Sequence, residues 1–348
     1  MAEVLVGGGS MSRAAVGYLA RAAEGPSPIR AFLDSYNRFS SGYPHKLYII
    51  AKVKTSTDQL SWLVDLLRSV PHQLIPYDDD IGRDIAAYLS SSKQMDGDLL
   101  CLFNTFSLIN GSDWLAKLVA AYGNPNVGLV GTSGSYESLW TDSIILNRLD
   151  VLMNEAAFDR ELITNWAPLH KSAGKLLRRR YKRFLRFFQD RYYKLPSVKE
   201  RLAKFPPPYK EGNPLEKLFP PFPNPHVRSN GFLCSKSYFL SFPDPEPPTS
   251  KMGGLMFESG YGGLSHKARM EGKRLLVVDR RGQTYDIEDW VQSATFRFAT
   301  AENLLVTDNS TAHFYALAQP TRDIFGQLTY GGHLLGVELD PNFTKIAI

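Results

Sequence analysis

Three stretches of the chain gather side chains whose types and spacing suit chemistry. The first is Asn104-Thr105-Phe106-Ser107, a short polar group behind the apolar run Leu99–Phe103. Open parallel sheets bind their ligands at the carboxyl ends of strands, where this group would lie. In the second, His226, Arg228 and Asn230 fall at alternate positions, so a strand would set all three on one face. A guanidinium there suits a phosphate or a carboxylate; the competing reading is an exposed strand face. The third is acidic, Asp78-Asp79-Asp80 with Arg83 and Asp84 close behind. Three carboxylates supply the hard oxygens that Mg2+ prefers. Neighbours on an extended segment point in alternating directions, which favours a solvated loop with Asp80 or Asp84 near the positive end of the next helix. Arg83 would either meet a diphosphate or pair with Asp84.

The elements that must position these groups follow from apolar periodicity. Leu99–Phe103 has the length and composition of a strand buried on both faces. A helix follows it, with Ser112 or Asp113 as N-cap and Trp114, Leu115, Leu118 and Val119 on one stripe. Asn124-Pro125-Asn126 ends that helix, and Val127–Val130 is the next strand. Upstream, Ile29–Phe39 is a helix whose buried side is Ile29, Phe32, Leu33 and Tyr36. Leu47–Val53 is a strand. Thr57–Val70 is a helix striped by Leu60, Leu63, Val64 and Leu67. His72–Pro76 is a short strand, and Ile85–Ser92 a helix. At the N-terminus, Glu3–Val6 reads as a strand and Gly7-Gly8-Gly9-Ser10 as a loop entering a helix over Met11–Ala23. Strands alternating with helices at this spacing imply right-handed βαβ units and a parallel sheet.

After Ser138 the pattern changes to a mostly helical stretch. It carries Lys171, Lys175, Arg178, Arg179, Arg180, Lys182, Arg183 and Arg186, eight cations against a net charge of +5 for all 348 residues. The basicity is therefore the property of one segment. Leu177, Tyr181, Phe184 and Phe188 share one helical stripe there, so residues 171–192 would either lie on an anionic membrane surface or dock on the protein. No nucleic-acid module accompanies them, and nucleic acid is not an expected partner. The proline-rich stretch Pro206–Pro225 is an extended strap. Leu264–Glu271 is a helix capped by Gly272, Arg274–Val278 a strand, and Thr311–Leu317 a further helix.

These residues carry a resemblance. The apolar strand, the Trp114-Leu115 helix and the Pro125-Asn126-Val127-Gly128-Leu129-Val130-Gly131 strand resemble the heart of a GT-A-fold glycosyltransferase of the family-2 kind. Gly82-Arg83-Asp84-Ile85 is similar to the same element of rhamnan-synthesis-type proteins, and a looser likeness runs on to about Trp290. The resemblance implies a GT-A-like, mostly parallel sheet flanked by helices, here with a basic helical insertion. It implies nucleotide-sugar binding in residues 1–138, an insertion and strap over 139–225, and an acceptor and catalytic half with a C-terminal tail over 226–348. On the donor side it points to Asp58, Asp80, Arg83, Asp84, Asn104 and Ser107. On the acceptor side it points to His226, Arg228, Asn230 and Trp290, whose ring would either stack on a sugar or be buried in a turn. The family's metal motif Asp-x-Asp reads Asn104-Thr105-Phe106 here. A phenyl ring cannot ligate, and a neutral amide is a poor substitute for carboxylate, so no metal ligands are assigned and a Mg2+ or Mn2+ cofactor is doubtful. Lys267–Gly272 matches the helix that follows the family's catalytic acids. Those acid positions fall on Gly260 and Tyr261, which leaves Glu258, two residues upstream, as the candidate base.

Hydrophobic residues make up 43% of the chain and charged residues 22%, the balance of an ordinary globular protein. Cys101 and Cys234 both sit in apolar runs and are expected as buried thiols in a reducing compartment. No secretory signal and no run near the about 20 apolar residues of a spanning helix is present. The expectation is a cytoplasmic protein, peripheral on the membrane's inner face if the basic segment binds there. Its function would be transfer of a sugar, with inversion, from a nucleotide donor to a cell-surface polysaccharide or glycolipid precursor. The alternative is a non-catalytic GT-A-like protein that binds a nucleotide sugar, a glycan or a partner enzyme. A dehydrogenase rests on Gly7–Gly9 alone.

Overall fold

The computed structural model describes residues 12–53, 58–78, 84–141, 214–243, 251–317 and 319–330. The first part of the chain runs β1 (Ala14–Arg21), α1 (Pro26–Arg38), β2 (His45–Val53), α2 (Asp58–Leu67), β3 (Gln73–Asp78), α3 (Asp84–Ser92) and β4 (Leu99–Phe103). It continues with β5 (Leu108–Ile109), α4 (Trp114–Tyr122), β6 (Val127–Gly131) and β7 (Gly134–Ser135). The second part runs β8 (His226–Val227), β9 (Gly231–Ser235), α5 (Lys236–Leu240), α6 (Lys251–Ser259), α7 (Leu264–Met270), β10 (Arg274–Val278) and β11 (Thr284–Tyr285). It closes with α8 (Trp290–Ser293), β12 (Val306–Thr307), α9 (Asn309–Tyr315) and α10 (Gln319–Tyr330).

Eight strands form one sheet in the order β11-β10-β6-β9-β4-β1-β2-β3. All neighbours are parallel except at β9, which runs antiparallel between β4 and β6, and at the edge strand β11. Helices cover both faces. On one, Ile29, Phe32 and Leu33 of α1, Leu63 and Leu67 of α2, and Trp114, Leu115 and Leu118 of α4 pack on Tyr18, Ile49, Cys101 and Phe103. On the other, Ile85 and Tyr88 of α3, Phe239 of α5, and Leu264 and Ala268 of α7 pack on Leu19, Ile50, Leu100, Leu102 and Phe232. This is the α/β class, a mostly parallel sheet flanked by helices, that the sequence resemblance implied.

One expected element is overturned. Residues 14–21, read as part of a helix, are β1, paired in parallel with both β2 and β4. Ala14 to Ala20 are buried on both faces, and an unbroken apolar run carries no period that separates a strand from a buried helix. Gly17 marks how tightly the strand is enclosed: a Cβ there would lie 2.7 Å from Leu102 Cδ2 and 2.9 Å from Met95 Cε. The strand and glycine loop expected over residues 3–10 fall outside the described residues. A smaller correction concerns α2, where Val64 is exposed and Leu63 and Leu67 face the core.

Cys101 and Cys234 are free and buried. They lie on adjacent strands but on opposite faces of the sheet, and burial pushes both thiols well above their ordinary range. Among the described residues no helix is long and apolar enough to cross a membrane.

Candidate functional site

The antiparallel β9 brings two stretches far apart in sequence to the carboxyl edge of the sheet. Gly231 pairs with Phe103, the last residue of β4, so residues 228–230 sit beside the loop 104–107. His226 pairs with Ser135, just beyond the end of β6. The expected strand face is thus corrected: only His226 and Val227 are strand, and Arg228 to Asn230 form a loop between two sheets.

The loop after β4 is fixed from several sides. Tyr18 donates its hydroxyl to the Thr105 carbonyl (2.6 Å) and Tyr88 to the Phe103 carbonyl (2.9 Å). Asn104 Oδ1 accepts the Phe106 amide (3.0 Å), the side-chain-to-backbone bond of an Asx-turn. The fully buried Ser107 hydroxyl accepts from the Asn104 amide (3.0 Å) and donates to the Asn230 carbonyl (2.5 Å). Asn230 Oδ1 in turn accepts from Ser133 (3.0 Å). Ser107 and the buried Asn230 therefore act as the clamp between the two loops. The donor set at this position, one amide oxygen spent on the backbone and a phenyl ring, does not fit a hard divalent cation. Among the described residues no three His, Cys, Asp or Glu side chains cluster as metal ligands.

Beside this clamp lies a buried charge cluster. Glu258, the candidate base, is in the last turn of α6 and only 8% exposed. Its Oε1 takes Arg228 Nη1 at 2.6 Å, and its Oε2 accepts the Ser229 amide (3.0 Å) and the Ser229 hydroxyl. His226 Nδ1 lies 2.8 Å from the Asn224 carbonyl. A carbonyl can only accept, so that nitrogen carries the proton and Nε2 presents its lone pair, 3.8 Å from Glu258 Oε1. A second pair stands close by. Arg297 Nη1 bonds Glu137 Oε1, and the Ser135 hydroxyl donates to Glu137 Oε2 (3.1 Å). The Arg228 and Arg297 guanidinium groups lie 5.0 and 4.9 Å from the ring centroid of Phe296, within cation–π range. Arg297 holds a left-handed backbone with φ of 47°, uncommon outside glycine.

The electrostatics follow from these contacts. Burial pushes the Glu258 carboxyl up, but Arg228, His226 and the two Ser229 donors outweigh it and hold it below its usual value. Burial acts the same way on Glu137, where Arg297, Arg228, His226 and Ser135 together prevail and hold the carboxyl low. For His226 burial dominates and lowers the imidazole despite Glu258. Two carboxylates, two guanidinium groups and a neutral imidazole thus balance in charge, the condition for burying them. Glu137 and Arg297 were not singled out from the sequence. The available signal was an arginine set between Phe296 and Phe298.

The other expected residues lie elsewhere. Trp290 is fully buried and donates Nε1–H to the Tyr285 carbonyl (3.2 Å). Its ring lies against Gly134, where a Cβ would come within 2.6 Å of it. It is core, with no face open to stack on a sugar, so the buried reading holds and the stacking one is corrected. Asp84 opens α3, with its Oδ1 3.9 Å from Lys52 Nζ and 4.0 Å from Arg21 Nε, at the carboxyl ends of β1 and β2. Asp58 begins α2. Asp80, Arg83 and the basic residues 171–192 fall outside the described residues.

No protein-family model matches the chain, and no curated protein matches it. Solved structures do. A mannosyltransferase from Pyrobaculum calidifontis in complex with GDP-Man and Mn2+ is 18% identical, with a TM-score of 0.30 over 40% of this chain and 39% of that one. TarS of S. aureus is 16% identical, with a TM-score of 0.29 over 43% of this chain and 31% of that one. A glucosyl-3-phosphoglycerate synthase from Mycobacterium tuberculosis, in complex with Mn2+, UDP and glucosyl-3-phosphoglycerate, is 13% identical, with a TM-score of 0.30 over 65% of this chain and 58% of that one. The chain spans less than two thirds of the length of each of these structures.

Proposed function

We propose that the chain is a GT-A-like glycosyltransferase that moves a sugar, with inversion, from a nucleotide donor to a hydroxyl of a cell-surface polysaccharide or glycolipid precursor. The observation that carries this reading is the placement of Glu258 with Arg228 and His226 at the carboxyl edge of the sheet, clamped to the loop after β4. Ligands of open α/β sheets bind at that edge. In this reading Asp58 at the start of α2 and Asp84 at the start of α3 hold the nucleotide, together with Asp80 and Arg83 as the resemblance implies, and the donor phosphates reach toward Arg228. Glu258 takes the proton of the acceptor hydroxyl as its oxygen attacks the anomeric carbon. No metal takes part, because the residues at 104–106 do not fit one.

Two observations favour a second reading, a non-catalytic protein that binds a nucleotide sugar or glycan: Asn104 is spent on its own turn, and Glu258 is held in an ion pair. Calorimetric titration with nucleotide sugars, with and without excess EDTA, tests what the two readings share. Binding is expected to survive EDTA, and its abolition would sink the metal-free site. Transfer by Glu258→Gln separates them. A general base contributes about 10²–10⁴-fold to rate, so transfer per folded molecule should fall by that factor while donor affinity holds. A loss below about threefold would assign the base elsewhere.

A further inference from the structure

The ion pair that weakens Glu258 as a base is built asymmetrically. Arg228 makes its shortest contact with Glu258 through Nη1, and among the described residues neither Nε nor Nη2 donates a hydrogen bond. A guanidinium offers five donors in a fork suited to two oxygens of one anion, so most of that capacity is unused. The Arg228 side chain is 25% exposed and that of Glu258 10%, which puts the cation on the outer side of the pair. The neighbouring carboxylate Glu137 attracts Arg228 through space, but its direct bonds go to Arg297 and Ser135. On its other side Arg228 rests against the Phe296 ring, a contact that holds a cation without fixing its rotation about the ring. Glu258, by contrast, is anchored at Oε2 by the backbone and hydroxyl of Ser229. If one partner of the pair moves, it is the arginine.

We propose that Arg228 is an anion-operated latch on Glu258: the diphosphate of a bound donor draws the guanidinium away, and the carboxylate is released to accept a proton. The latch rests on the transferase reading for its consequence but not for its operation. With Arg228 on the diphosphate, Glu258 Oε1 faces the His226 Nε2 lone pair and the incoming hydroxyl. The O–H bond of the acceptor breaks and its proton passes to Glu258. The freed electron pair forms the bond to the anomeric carbon. The bond from that carbon to the diphosphate oxygen breaks, and the leaving nucleoside diphosphate carries its electron pair against Arg228. No oxidant or metal is needed for the balance. Acceptor deprotonation is thereby made conditional on a donor being in place, which keeps the base idle in its absence.

The charged groups facing this pair come from every element around it: His226 from β8, Glu137 after β7, Arg297 after α8, and Asp308 at the start of α9, with Glu137 and Asp308 both acting on Arg228. Of these only Arg228 touches Glu258 with a full charge. The test is a carbon-13 NMR titration of protein labelled at the glutamate carboxyls, with the Glu258 resonance assigned by its loss in Glu258→Gln. Saturating inorganic pyrophosphate should raise the proton affinity of Glu258 about tenfold or more, the usual scale for loss of an adjacent opposite charge. Arg228→Gln should show the same rise without pyrophosphate and no further rise with it. The titration of the unaltered protein needs no variant to fold. An unmoved Glu258 resonance at saturating pyrophosphate overturns the latch, and so does a failure of pyrophosphate to bind at millimolar concentration. Sugar transfer with an unmoved Glu258 overturns the latch and leaves the transferase reading standing. A Glu258 that responds in a protein that transfers no sugar keeps the latch and overturns the transferase.

Discussion

Glu258 and His226 stand 3.8 Å apart in a site that keeps one charged and the other neutral. Both lose protons more readily in the folded state than in the unfolded one, so the sign of their linkage is the same. Each contributes stability that is fully present above its unfolded value, about 6.5 for histidine and 4.3 for glutamate, and that is lost as pH falls through its lower folded value. Half-buried His45 acts in the same direction. Melting temperature is therefore expected to decline on acidification in two stages. The first begins below about pH 6.5 from the histidines, and the second below about pH 4.3 from Glu258 and Glu137. His226→Gln should flatten the first stage, and an unchanged slope in that variant would show that the imidazole is not held neutral. Removing one partner of a buried ion pair costs about 3–5 kcal/mol. The loss of melting temperature in Glu258→Gln must accordingly be separated from its loss of rate.

At the scale of elements, the site depends on how β7, β8 and α8 close over the sheet edge. Gly134 lets the Trp290 ring lie against the backbone of β7, and Tyr136 packs on the same ring, with centroids 5.6 Å apart. Trp290 thereby supports the strand whose partner positions His226. Trp290→Ala should cost about 3–5 kcal/mol, the range for deleting a large aromatic side chain from a core. Nucleotide-sugar affinity per folded molecule should stay near that of the unaltered protein. Chemical denaturation with a binding titration in the same buffer measures both. A selective loss of affinity with stability intact would return Trp290 to the ligand surface.

For the whole molecule, the stretch between β7 and β8 carries the chain's basic segment. The two strands pair directly although 90 residues, 136 to 225, separate them in sequence. The basic segment 171–192 falls within that stretch of sequence. If it brings the protein to anionic lipid, replacing Arg178, Arg179, Arg180 and Arg183 with Glu should abolish co-sedimentation with anionic vesicles at low salt. Raising the salt should weaken the binding of the unaltered protein, since exposed charges are screened over about 10 Å at 0.1 M. No co-sedimentation of the unaltered protein would leave the segment as a docked helix.

What the chain's order of residues determined by itself is the alternation of elements. Leu99–Phe103 as a strand, Trp114 as the start of a helix, Gly272 with φ of 68° after α7, and Arg274–Val278 as a strand are all written in local periodicity and turn residues. Such signals span only a few neighbours, which is why they survive being read one segment at a time. Tertiary structure alone decided the rest. β1 is a strand because β2 and β4 pair with both its edges, and an apolar run buried on every side cannot announce that. Glu258 is an ion-paired carboxylate because Arg228 arrives from 30 residues away, and Glu137 meets Arg297 across 160. Burial and Coulomb terms act through space, so the basicity of a carboxylate is decided by which charges the fold sets beside it, whatever their separation along the chain.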